Sequence, residues 1–222
     1  MKGVQINSKY SGEESLILNG KELPYTMLNY WQVNLSEILL NMTRGGFAEF
    51  IVQCAMHAGG FDAFKDINLK NGIEPYDLDG PDIPVLNRSS RIEVKSAAAV
   101  QLNTPDDVDL SDFPHSRLVF RIKKSIDYSK DEIPRHNSDL YVFAHYTATR
   151  KSDNMLDMKN WDFYVYPTFK IDENTDAKLS EQKTISLTRI EQIGIPKQSF
   201  ETLYSEITKV IEEINDHEAA KA

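Results

Sequence analysis

The chain has 222 residues, 41% hydrophobic and 27% charged, a balance that excludes wholesale disorder or a fibrous repeat and suits one domain spanning residues 1–222. Its formal net charge of −9 argues against a simple nucleic-acid coat protein, whose hold on phosphate rests on clustered Lys and Arg. A single cysteine, Cys54, excludes an internal disulfide, and neither a leader-like apolar core nor a run of about 18 apolar residues is present, so a reducing, cytoplasmic setting with no membrane partner is expected.

Residues 1–30 mix the turn formers Ser11, Gly12, Asn19, Gly20 and Pro24 with a short apolar run at 16–18, which predicts an extended arm or a small hairpin. Helices are expected over 34–58. Asn34 or Ser36 could cap the first, Leu35, Ile38, Leu39 and Met42 fall at helical spacing, and Gly45-Gly46 suggests a break. Phe47, Phe50, Ile51, Cys54 and Ala55 then recur as one apolar stripe until Gly59-Gly60, which makes Cys54 a buried small residue rather than a reactive thiol. A sheet core follows over 61–170. Short strands are expected at 76–78, 91–95 and 117–122, and the nearly all-apolar 140–146 reads as a central strand covered on both faces. Another strand at 161–166 stops at Pro167, and C-terminal helices over 185–216 comprise a short one at 187–192 and a longer amphipathic one from 199. This order predicts an α/β or α+β fold, a central mixed β-sheet flanked by helices.

Charge is unevenly spread. Between 117 and 151 eight basic residues face four acidic ones, a net +4, whereas from 172 onward eleven acids face six bases. Arg117, Arg121, Lys123, Lys124, Arg150 and Lys151 are candidate contacts to a nucleic-acid backbone, although a solvated surface face fits the same asymmetry.

The chemistry concentrates in YDLDGPDIPVLNRSSRIEVKSAAAVQ, residues 76–101. On a strand Glu93 and Lys95 share a face while Ile92 and Val94 take the other, and Asp77 can lie across from Glu93 if the two strands are neighbours. Two carboxylates would then converge beside an ammonium, a set suited to a hard cation such as magnesium. Such an ion polarises a phosphodiester and acidifies water, with a lysine to orient or help deprotonate that water. Asp79 shares the side-chain parity of Asp77, whereas Asp82, between Pro81 and Pro84, is disfavoured as a strand residue. The five histidines have no zinc-site spacing, and Arg44-Gly45-Gly46 lacks the lysine and spacing of a phosphate-binding loop. The aromatics of 141–146 and 161–166 read as core rather than as a base-stacking platform.

The run RGGFAEFIV, then YDL, then RIEVKS followed by Gln101, resembles the PD-(D/E)xK nuclease superfamily, with restriction-endonuclease-like cores. The segments SDLYVFAHY, NWDFYVYPT and KTISL are similar to uncharacterised bacterial restriction-type endonucleases, so the resemblance covers residues 44–190. It implies a restriction-like DNA endonuclease using magnesium, with manganese able to substitute. Asp77, Glu93 and the Val94 carbonyl would be metal ligands, Lys95 the catalytic lysine and Glu49 an additional ligand or the support of one. Gln101, on a following helix, would orient water or substrate. A homodimer would serve cleavage of both strands. Repair or junction-resolving activity belongs to the same superfamily, and a non-catalytic binding module on this fold is the rival that the net acidity favours.

Overall fold

The computed structural model describes residues 10–64, 75–127, 133–173 and 179–221. Its strands β1 (Ser15–Leu18) and β2 (Lys21–Thr26) form the expected hairpin. Asn19 and Gly20 turn it at φ 53° and 75°, the left-handed pair that a two-residue hairpin turn requires. Thr26 then caps α1 (Met27–Leu35) through a capping box with Asn29, and this helix buries no residue.

The helical reading of 34–58 needs correction at its first half. Residues 36–40 form a turn, and α2 (Asn41–Ala58) runs unbroken through Gly45 and Gly46. Two helical glycines cost about 1 kcal/mol each relative to alanine. Burial of Ala48, Ile51, Val52, Ala55 and Met56 against the core outweighs that cost. The buried stripe is therefore rotated from the expected one, leaving Phe50 exposed and Cys54 half-buried with its thiol pKa raised by desolvation. Gly59 ends the helix as read, and a Cβ there would collide with the Tyr204 ring.

The remaining elements are β3 (Leu78–Ile83), β4 (Arg88–Ala98), β5 (Val119–Arg121), β6 (Leu140–Tyr146), β7 (Trp161–Pro167), α3 (Thr168–Asp172), β8 (Thr184–Ser186), α4 (Leu187–Gln192), β9 (Lys197–Gln198) and α5 (Phe200–Ala219). Five of them build a mixed sheet in the order β3-β4-β6-β7-β9, with β4 and β6 parallel and the other neighbours antiparallel. The fold class expected from the sequence is thus observed, and β6 is buried along all its length. Alternation on the strands separates two cores. On one face Ile92, Val94, Val142, Ala144 and Phe163 meet α2 and α5. On the other, Tyr141, Phe143 and Tyr164 meet the β5–β8 ribbon and α4 through Phe120, Ile185, Leu187 and Ile190.

Residues Pro81 and Asp82 lie inside β3, contrary to the expected exclusion by proline. β3 is an edge strand whose register shifts between Asp79 and Asp82, which spares the ladder a missing donor. The loop after β4 is not helical, so Gln101 sits in a turn, its amide N–H bound by Thr104 Oγ1 at 2.9 Å.

Candidate active site

Asp77 immediately precedes β3 and donates its backbone N–H to the Ile92 carbonyl at 3.0 Å, which sets it opposite Glu93. Its carboxylate Oδ2 accepts from the Val94 amide at 2.8 Å. A strand residue's N–H and C=O point to the same edge, so the Val94 carbonyl shares the strand edge that Asp77 occupies. Lys95 Nζ contacts Asp77 Oδ2 at 3.5 Å and pairs closely with Glu93 Oε1. The structure therefore brings Asp77, Glu93 and Lys95 into one cluster on the sheet face opposite α2 and α5. Their side chains are 23%, 18% and 27% exposed, open enough to meet a ligand and buried enough to feel each other's charge.

The electrostatics follow from that burial. Desolvation, then the Asp77 charge, pushes the Glu93 pKa up, and Lys95 only partly offsets them. Burial alone would lower the Lys95 pKa, but the Glu93 and Asp77 charges outweigh it and hold the amine above the ordinary lysine value. Lys95 is thus an ammonium at neutral pH, a donor and positive charge rather than a base. Tyr141 lies beside Glu93 in the parallel β4–β6 register, and burial followed by that carboxylate raises its phenol pKa, so it too stays protonated.

The donor set suits a hard divalent cation: two carboxylates and one carbonyl-bearing strand edge, rather than nitrogen or sulfur ligands. Among the described residues no group of three or more His, Cys, Asp or Glu side chains is poised around one point. Two carboxylates match an ion that keeps several waters rather than one caged by protein.

A cleft of about 690 Å³ opens beside Lys95. Glu49 on α2 lines it, as do Val94, Gln101, Arg117 and Arg121. Two of the six candidate backbone contacts thereby reach the candidate site. The others do not: Arg150 pairs with Asp109 at 2.7 Å, Lys151 with Asp106 at 3.1 Å and Lys124 with Asp172 at 3.7 Å, while Lys123 is exposed outside the cleft lining. Lys130 of the basic segment lies outside the described residues. Asp82 is also removed from the cluster, accepting from Ser89 Oγ at 2.9 Å, and Asp79 pairs in register with Arg91, two residues before Glu93.

Sequence reasoning passed over three residues. Arg44 is buried in the cleft wall, Tyr141 flanks Glu93, and the His136 ring is wedged between Asp172 Oδ1 at 2.9 Å and the Ile122 carbonyl at 2.7 Å. Tyr141 could have been flagged, since odd positions of 140–146 face the same side as Glu93 once the strands pair; a lone arginine or histidine gives no such signal. No helix of the described residues is long and apolar enough to cross a membrane. No family model matches the chain, and no curated protein or solved structure matches it.

Proposed function

We propose that the chain is a metal-dependent DNA endonuclease that hydrolyses phosphodiester bonds, with Asp77 and Glu93 holding magnesium or manganese. The observation that carries this reading is the convergence of Asp77, Glu93 and Lys95, the last of which also lines a cleft walled by Arg117 and Arg121. A divalent cation bound by the two carboxylates would polarise a phosphate oxygen and acidify a water. The protein's own groups do the rest. Asp77 is held in place by the Val94 amide, and Lys95, kept charged, aligns the attacking water and offsets the negative charge that grows on the phosphate. Glu49 lines the same cleft and would orient water, and the strand edge bearing the Val94 carbonyl supplies a further oxygen. A homodimer would place two such sites on the two strands of a duplex.

Plasmid nicking in magnesium tests the reading. Lys95→Ala and Glu93→Ala are expected to fold and to lose cleavage by about a hundredfold or more. Retention of full activity by both would remove the assignment. The net charge of −9 favours one rival, a non-catalytic binding module on the same fold. That rival predicts no nicking by the wild type and no magnesium binding that depends on Asp77 and Glu93.

A further inference from the structure

Arg44 carries a charge that has no ion-pair partner among the described residues. It is 4% exposed, yet its hydrogen bonds go to neutral groups: Nη2 donates to Asn41 Oδ1 at 2.7 Å, and Nη1 to the Leu39 carbonyl and Gln101 Oε1, both at 3.4 Å. Its Nε has no partner among the described residues. Burial depresses the guanidinium pKa, with no carboxylate among the described residues to restore it. A buried cation without a counter-charge is costly, and Arg44 is one of the residues that line the cleft.

The surroundings point to what would supply that charge. Arg44 lies in the opening turns of α2, an 18-residue helix whose N-cap residue Leu40 makes no side-chain cap, so backbone N–H groups without a partner among the described residues and the positive end of the helix dipole come to the cleft with it. Gly45 lines the same wall, and a Cβ there would meet nothing within 4 Å, so a ligand can come close to the backbone. Lys95, which is paired with Glu93 and Asp77, joins Arg117 and Arg121 in a lining that holds one acid of its own, Glu49. Gln101 is held by its Nε2 donating to the Ala98 carbonyl at 2.7 Å, which keeps its Oε1 turned to Arg44.

We infer that Arg44, Gly45 and the first turn of α2 form an anion subsite that holds one phosphate of a nucleic-acid strand lying in the cleft next to Lys95. The identity of the strand rests on the function proposed above; the phosphate chemistry rests on Arg44 itself. In this arrangement Arg44 is a binding residue, and Gln101 is a positioning residue that acts through it.

The test is equilibrium binding of a fluorescently labelled DNA duplex, by anisotropy in EDTA, so that affinity is read without turnover. Arg44→Met keeps the buried volume and removes the charge; Gly45→Glu keeps Arg44 and places a carboxylate in the open space. Each is expected to weaken duplex binding about tenfold or more, while Gly46→Ala, on the same helix but outside the cleft lining, binds as the wild type. Wild-type affinity in both Arg44→Met and Gly45→Glu would overturn the subsite, and should Arg44→Met fail to fold, Gly45→Glu alone decides. No binding of the duplex by the wild type, with stabilisation by inorganic phosphate instead, would also overturn it as a nucleic-acid subsite. The two proposals fail separately. Absent nicking with duplex binding still sensitive to Arg44 and Gly45 would retire the nuclease and keep the subsite; nicking that needs Lys95 but not Arg44 or Gly45 would do the reverse.

Discussion

Replacing His145 with leucine should make the protein more resistant to acid. His145 is 7% exposed on β6, its Nδ1 lacks a partner among the described residues, and burial, reinforced by His115 and Lys197, drops its pKa from 6.5 to about 4. The folded state therefore prefers the neutral ring, whereas the unfolded chain takes up a proton near the ordinary value. Stability from this site is complete above pH 6.5 and is lost as the pH falls towards 4. At 1.36 kcal/mol for each pH unit, that window corresponds to about 3 kcal/mol. Urea unfolding followed by the fluorescence of the buried Trp161 measures it at about pH 7.5 and about pH 4.5. At the higher pH His145→Leu should equal or slightly exceed the wild type, because an unpartnered polar atom is gone. At the lower pH the variant should lead by about 2–3 kcal/mol. Carboxylates titrate in both proteins, so the difference isolates this ring. Parallel stability curves across the window would refute the reasoning.

Lys95→Met, studied in EDTA, should lose about 2 kcal/mol near pH 7.5, since the two partly buried carboxylates then repel without a counter-charge. The Glu93 pKa is already raised, so its ionised form is the costly one, and the loss should shrink as the pH falls and Glu93 takes a proton; a loss that grows in acid would contradict this. Gly59→Ala drives a methyl into the Tyr204 ring where α2 meets α5, and a cost of about 1–3 kcal/mol is expected in thermal unfolding, against no change if the helices can part freely.

The clustering of Asp77, Glu93 and Lys95 was legible because each step from sequence to space is short. Period-two alternation aligns Glu93 with Lys95, and one hairpin carries Asp77 back to them. Strands β6 and β7 were legible for a similar reason, as uninterrupted apolar runs, the second closed by Pro167. Strands β8 and β9, of three and two residues, are too short to leave a periodic trace, and the continuity of α2 through Gly45-Gly46 is a tertiary effect that local propensity opposes. The basic segment shows the limit most clearly. Its charges could be counted, but Asp109, Asp106 and Asp172, which partner Arg150, Lys151 and Lys124, come from other parts of the chain. Arg44 was set aside because Arg44-Gly45-Gly46 lacks a phosphate-loop pattern, and its hydrogen bond to Gln101, 57 residues away, leaves no local trace.

The parallel seam between β4 and β6 also dictates when the site can exist. The contact from Asp77 to Val94 spans 17 residues and can form with the β3–β4 hairpin, on the microsecond scale typical of such units. Clamping β4 to β6, through the Asp139 carboxylate that accepts from the Arg91 amide and from Arg88, must close 48 residues first. Parallel pairing across so long a loop is slow. A nascent chain therefore carries the two carboxylates on a half-made sheet, with the outer edge of β4 open until Leu140–Tyr146 emerges, and in that interval β4 is the segment that a chaperone would most need to cover.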